Sequence, residues 1–128
     1  MGYVEKAEKV IKERYFDQNG RPITSNMITT SKIRKLLSGM SDIYNDVIRV
    51  TGEELPEEIV ERIQYLKIQF VYEYGRDKNN GPVRGFMDKS EIIRYIDKIG
   101  KSKSNFIKVE RYMEALVAYH RFYGGKDE

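Results

Sequence analysis

The chain has 128 residues, of which 40% are hydrophobic and 34% charged, with a formal net charge of +3, a pI near 9.0 and a mean hydropathy of −0.64. This length suits one domain with one core, and no apolar run reaches the roughly 20 residues that a membrane span needs. The lack of cysteine excludes disulfides, thiolate catalysis and cysteine-based zinc sites. Since the N-terminus also lacks the apolar core of a secretory signal, we expect a soluble, cytoplasmic protein without membrane contact.

Good helix formers over residues 3–15 predict a first helix with a thin apolar stripe of Val4, Ala7, Ile11 and Tyr15. The sequence D-Q-N-G-R-P at 17–22 ends this helix. We therefore expect a looser N-terminal helix and linker over residues 1–27, followed by a helical bundle domain over residues 28–128.

A second helix is predicted after Thr29 or Thr30, either of which can cap it. Its apolar residues recur at three- and four-residue steps and fall on one face. They are Ile33, Leu36, Leu37, Met40, Ile43, Tyr44, Val47 and Ile48. Gly39 within this helix predicts a close helix contact or a bend, and Thr51-Gly52 is the expected end.

A third helix is expected to start at Pro56, within the acidic run of Glu53, Glu54, Glu57 and Glu58, which suits a helix N-terminus. Ile59, Ile63, Leu66 and Phe70 form its apolar stripe, and Tyr74-Gly75 is its expected end.

Two further helices follow a predicted loop that includes K-N-N-G-P-V-R-G at 78–85. Asp88 and Glu91 resemble a capping box for helix four, which ends at Gly100, and helix five runs from Ser104-Asn105 to Tyr123 before Gly124-Gly125. No segment alternates with period two over a length that predicts a strand. The predicted fold is all-α, a compact antiparallel helical bundle of four core helices plus a looser N-terminal helix.

The residues that could perform chemistry are few: one histidine, no cysteine, and carboxylates spread among basic residues. His120 lies on an apolar helix face, which favours a structural or interface role over a catalytic one. Glycines at 75, 81 and 85 match neither a P-loop nor a dinucleotide-binding motif. We expect no catalytic residue, no metal site and no cofactor.

The basic residues indicate a polyanionic ligand. Lys32, Arg34 and Lys35 lie in the first turn of helix two, where the helix dipole opposes a cation, so helix stability does not explain them. Basic residues of the loop could reach the same ligand if the bundle brings these ends together, and a solvated face is the alternative. Tyr72, Tyr95, Tyr112 and Tyr119 are candidates for exposed rings that stack on bases or on partner proteins.

Three segments together resemble the small helical subunit of the type III-A (Csm) CRISPR effector complex. They are I-T-T-S-K-I-R-K at 28–35, L-K-I-Q-F-V-Y-E-Y-G-R at 66–76, and R-Y-M-E-A-L-V-A-Y-H-R-F-Y-G-G at 111–125. The resemblance covers residues 28–125. It implies a bundle present in several copies, self-associated as a stack beside the backbone subunits that hold the guide RNA, with the large subunit as a further partner. Such a subunit contacts target RNA and the guide–target duplex and does not cut either.

This resemblance implies that the basic residues of the matched segments bind RNA: Lys32, Arg34, Lys35, Lys67, Arg76, Arg111 and Arg121. Lys78 and Arg84 are added because they are basic residues of the loop that follows Arg76. Contacts to the RNA backbone suit a guided complex, because base pairing already supplies the sequence specificity. Two alternatives are a helical adaptor that touches no nucleic acid and a small DNA-binding regulator, for which no helix-turn-helix pair is evident.

Overall fold

A computed structural model describes residues 2–15, 19 and 27–124. Within these ranges the chain forms no strand and six helices: α1 Tyr3–Tyr15, α2 Thr30–Val47, α3 Glu57–Arg76, α4 Pro82–Ser90, α5 Ile92–Asp97 and α6 Lys103–Phe122. The all-α prediction is confirmed. Apart from Asn19, the predicted turn over 17–22 lies outside the described residues, as does Gly125 at the predicted end of the last helix.

The core lies around α6, which packs against α1, α2 and α5. Its fully buried side chains are Phe106, Tyr112, Met113 and Leu116. α1 contributes Ala7, Ile11 and Tyr15 as predicted, but Val10 is buried and Val4 is exposed. Each large apolar side chain buried in this way contributes about 1.5–3 kcal/mol. The division into a looser N-terminal segment, residues 1–27, and a bundle domain, residues 28–128, stays a prediction.

α2 packs against both α3 and α6. Thr29 caps it, since its hydroxyl accepts a hydrogen bond of 3.1 Å from the backbone N–H of Lys32. A β-carbon on Gly39 would lie 3.3 Å from Cδ1 of Leu66 on α3, so the predicted close helix contact is confirmed. Ile48 was expected on the buried face, but α2 ends at Val47 and Ile48 is exposed.

The prediction for residues 78–91 was wrong, because α4 already begins at Pro82 within the expected loop and Asp88 lies inside α4 instead of capping a helix. The physical reason is Asp77, whose carboxylate accepts from the backbone N–H groups of Val83 (2.8 Å) and Arg84 (3.0 Å) and so caps α4. Pro82 at the first helical position completes this start. At Glu91 the backbone turns left-handed, with φ of 58°, and separates α4 from α5. Ile92, Ile96 and Ile99 are buried as expected.

The N-terminus of α6 lies beside Glu53, a residue of the acidic run that was assigned to α3, although Ser102 and Glu53 are 49 residues apart in sequence. Ser102 caps α6 by accepting from the backbone N–H of Asn105 at 3.1 Å. The carboxylate of Glu53 accepts from the hydroxyl of Ser102 and from the backbone N–H of Ser104, and these hydrogen bonds lower the pKa of Glu53. Glu53 therefore serves the N-terminus of α6, not that of α3.

Candidate nucleic-acid interface

The segment that leads into α2 is fixed by the backbone of Ile28. The hydroxyl of Tyr15 accepts from the N–H of Ile28 at 3.4 Å, and Nε2 of His120 donates to its carbonyl at 2.6 Å. His120 is 1% exposed, and burial lowers its pKa below the ordinary 6.5. A neutral His120 thus joins α6 to the start of α2, which agrees with its structural interpretation.

Lys32, Lys35, Glu73 and Arg76 form what we call the Glu73 cluster, where the start of α2 meets the end of α3. Nζ of Lys32 lies 3.0 Å from one carboxylate oxygen of Glu73, and the guanidinium of Arg76 lies 3.5 Å from the other. Burial opposes ionisation of Glu73, but the hydrogen bond from Lys32 and the charges of Lys32, Arg76 and Lys35 outweigh it and lower its pKa. The cluster therefore has three cations around one ionised carboxylate.

The surplus positive charge of the Glu73 cluster faces solvent. Lys35 and Arg76 are exposed, and Lys32 is half-buried. Two further residues of the predicted set are exposed on the adjoining elements, Arg34 on α2 and Lys78 just after α3. Five of the nine predicted RNA-binding residues therefore lie on or next to the paired ends of α2 and α3. The bundle thus brings together the start of α2 and the end of α3, which was the condition for these basic residues to reach one ligand.

A groove between α2 and α3 continues from the Glu73 cluster, with a volume of about 490 Å³. We call it the α2–α3 groove. Its lining includes Lys35, Tyr65, Ile68, Tyr72 and Glu73. The side chains of Tyr65, Ile68 and Tyr72 are 62%, 60% and 64% exposed, and the guanidinium of Arg76 lies over the ring of Tyr72 at 5.9 Å. Cations and exposed aromatic rings thus share one surface.

The opposite end of the α2–α3 pair is acidic. Asp42, Glu58 and Glu61 line a second depression of about 400 Å³ together with Arg62, which pairs with Asp46 at 2.5 Å. Since α2 and α3 are antiparallel, the start of α2 and the end of α3 form a basic end, and their other termini form an acidic end. The pair is therefore polarised in charge along its length.

Like Lys32 and Arg76, the predicted RNA-binding residues Arg84 and Lys67 make contacts within the fold. Arg84 donates to the carbonyls of Tyr74 (3.0 Å) and Gly75 (3.3 Å) at the end of α3, and to the side chain of Asn79 at 2.6 Å. It thereby satisfies carbonyls that the last turn of a helix leaves without partners. Nζ of Lys67 lies 2.5 Å from Asp97 and links α3 to α5. Their binding of RNA stays a prediction.

Arg111 and Arg121 are exposed on α6. α6 packs against α1, α2 and α5, whereas α3, which carries Lys67 and Arg76, packs against α2, α4 and α5. Arg121 follows His120, whose ring contacts the carbonyl of Ile28 just before α2, whereas Arg111 lies nearer the start of α6. Their role as RNA-binding residues also stays a prediction.

The four tyrosines singled out from the sequence have different surroundings. Tyr72 is exposed, as expected. The expectation was wrong for Tyr112, which is fully buried and donates to the carbonyl of Ser90 at 2.9 Å. Tyr95 and Tyr119 are partly buried against the core. Tyr65, which the sequence interpretation missed, is the second exposed ring of the groove, and its seven-residue spacing from Tyr72 was the available signal.

In the part of the chain that the structure describes, no group of three or more histidine, aspartate or glutamate side chains is arranged to hold a metal ion. Over the same residues, no helix is long and apolar enough to cross a membrane.

One carboxyl group is buried and has a raised pKa. Glu110 is 1% exposed, and burial together with the neighbouring carboxyl of Glu114 raises its pKa to about 8.

The fold and this surface define a small all-α protein with a basic end and an exposed aromatic groove. The family model described as Csm2 Type III-A matches residues 5–126. Similar proteins named "CRISPR system Cms protein Csm2" occur in Streptococcus thermophilus (39% identity, 98% of this chain and 93% of the relative), Enterococcus italicus (37%, 91% and 86%) and Mycobacterium tuberculosis (32%, 98% and 94%). The chain belongs to the Csm2 family and is a small subunit of a type III-A CRISPR (Csm) complex.

Proposed function

We propose that this subunit binds RNA without catalysing a reaction, and that it positions target RNA and the guide–target duplex through contacts to the sugar–phosphate backbone. It does so in the cytoplasm, inside the assembled complex. Contacts that do not depend on the RNA sequence suit the positioning of any target, since the guide already selects the target by base pairing.

The Glu73 cluster is the observation that supports the proposal most. It presents three cations for one carboxylate, next to the N-terminus of α2, whose backbone N–H groups also favour an anion. Lysine and arginine gain affinity for nucleic acids by displacing counterions from phosphates. Of the predicted residues, Lys32, Arg34, Lys35, Arg76 and Lys78 are therefore assigned to the main contact. Lys67, Arg84, Arg111 and Arg121 are assigned to peripheral contacts.

The charge polarity of the α2–α3 pair supports self-association into a stack. The acidic end, with Asp42, Glu58 and Glu61, is complementary to the basic end of another copy. A contact between unlike ends is heterologous, so it repeats and builds a row of copies. We propose that such a row lies beside the backbone subunits that hold the guide RNA and contacts the large subunit.

A salt titration with matched variants tests the proposal. In K35A/R76A two exposed cations of the Glu73 cluster are lost, and in the control K98A/K108A two exposed cations elsewhere are lost, so the net charge is equal. Each lost phosphate contact should lower the slope of log K against log salt by about 0.7 for single-stranded RNA. We expect the slope to fall in K35A/R76A and not in the control. An equal loss in both variants, or binding that salt does not weaken, would contradict the proposal.

A protein–protein adaptor is the second candidate, because Ile68 and Val71 are exposed on α3 beside the two tyrosines. An adaptor should assemble with the other subunits whether or not Lys35 and Arg76 are present. If K35A/R76A retains full function in the assembled complex, the adaptor is the better account.

A further inference from the structure

The outer face of α3 carries aromatic side chains that the fold does not use. Tyr65 and Tyr72 are more than 60% exposed, and Ile68 lies between them. Seven residues are close to two turns of a helix, so the two rings share one face and their Cα atoms are about 10 Å apart along the axis. The buried stripe of α3 lies elsewhere, on Ile59, Ile63, Leu66 and Phe70. Packing therefore does not explain why tyrosine occupies positions 65 and 72.

The charges beside the groove favour a nucleic acid as its occupant over an apolar peptide. Lys35 lines the groove, and the guanidinium of Arg76 lies over the ring of Tyr72. The rest of the Glu73 cluster adjoins the Tyr72 end. Aromatic rings within a positively charged groove are the arrangement that binds single-stranded nucleic acids, because every base has a face on which an aromatic ring can stack.

The spacing of the two rings distinguishes a single strand from a duplex. Bases stacked in a regular helix follow each other at about 3.4 Å, and their faces are covered by their neighbours. Rings about 10 Å apart cannot both insert next to successive bases of such a stack. They can accept separate bases of a strand that is splayed out, as in unpaired RNA.

We propose that the α2–α3 groove stacks unpaired RNA bases on Tyr65 and Tyr72 while the Glu73 cluster contacts the adjoining phosphates. This inference rests on the proposed function and narrows it: the preferred ligand of this surface is single-stranded RNA, not the guide–target duplex. The duplex then contacts the surface through phosphates alone.

The test compares Y65L/Y72L with Y65F/Y72F, since leucine keeps an apolar side chain without an aromatic face and phenylalanine keeps the face. Three probes of equal length separate the contacts: single-stranded RNA containing 2-aminopurine, the matching RNA duplex, and a strand without bases. We expect Y65L/Y72L to bind the single strand about tenfold more weakly and to lose the 2-aminopurine fluorescence change, with the other two probes unaffected. Y65F/Y72F should bind as the wild type does.

Two results would overturn this inference alone, and a third would overturn the proposed function. If Y65L/Y72L binds all three probes normally while K35A/R76A does not, the cations bind RNA but the groove does not stack bases. If Y65L/Y72L binds RNA normally but no longer assembles with the other subunits, the groove is a protein interface. If the wild type binds none of the probes, alone or in the complex, the proposed function itself fails.

Discussion

Replacing Glu110 by glutamine should make the stability of the protein less sensitive to pH. The side chain of Glu110 is 1% exposed, and its Oε1 atom has no hydrogen-bond partner among the described residues. Burial and the neighbouring Glu114 raise its pKa from 4.5 to about 8. The native state therefore keeps a proton on Glu110 that the unfolded chain releases above pH 4.5, so the free energy of unfolding falls as the pH rises from 4.5 to about 8.

The size of this effect follows from the two pKa values. One pKa unit corresponds to about 1.4 kcal/mol, so at pH 7 the buried acid lowers the free energy of unfolding by about 3 kcal/mol relative to acidic conditions. Between pH 5 and pH 9 the loss is roughly 4 kcal/mol. Glutamine has nearly the same shape as glutamate and does not titrate. Between pH 5 and pH 9 the free energy of unfolding of E110Q should therefore rise by that amount relative to that of the wild type.

Urea denaturation of the wild type and E110Q at pH 5, 7 and 9 measures the difference directly. Taking the difference between the two proteins cancels the contribution of His120 and of the other retained groups that do not interact with Glu110; Glu114, which does interact with it, is part of the measured effect. Glu58 is exposed, and E58Q serves as the control, with a difference from the wild type that is small at all three values of pH. A difference between E110Q and the wild type that stays constant from pH 5 to pH 9 would refute the assignment of a protonated, buried Glu110.

Three further variants test the contacts around the start of α2. E73Q should lower the free energy of unfolding by about 1–3 kcal/mol in urea denaturation, because a buried acceptor of Lys32 loses its charge, yet its RNA affinity should rise at low salt in a filter-binding assay. The lowered pKa of His120 means that, as the pH falls below 6.5, the unfolded chain takes up a proton that the native state does not, so His120 contributes a loss of stability that opposes the gain from Glu110. H120Q should therefore gain stability relative to the wild type as the pH falls, and thermal unfolding of both proteins at pH 7 and pH 5 measures this difference. T29A should cost about 1 kcal/mol in the same thermal assay, because the N–H of Lys32 loses its cap; no loss would contradict that role.

Much of the helical architecture could be predicted because it depends on residues close together in sequence. The stripe Ile59, Ile63, Leu66 and Phe70 of α3 is buried as expected, because its three- and four-residue spacing sets one helix face. α4 could not be predicted in this way. Its start depends on the carboxylate of Asp77, which lies six residues before Val83, within a segment whose asparagine, glycine and proline also suit a loop.

The candidate site was predicted in part. Lys32 and Lys35 were singled out because the helix dipole disfavours cations in the first turn, and the structure places both in the Glu73 cluster. The role of Glu73 could not be inferred, since it depends on the antiparallel pairing of α2 and α3. For the same reason, the sequence did not reveal that Arg84 donates to the carbonyls at the end of α3.

Photocrosslinking in the assembled complex tests the central claim most directly. A photoreactive amino acid replaces Lys35 beside the Glu73 cluster or, as a control, the exposed Lys108 on α6. The complex is then loaded with labelled target RNA and irradiated. RNA that crosslinks at position 35 and not at position 108 is the predicted result. Crosslinks from position 35 only to protein subunits, with no RNA adduct, would contradict an RNA-contacting role for this surface.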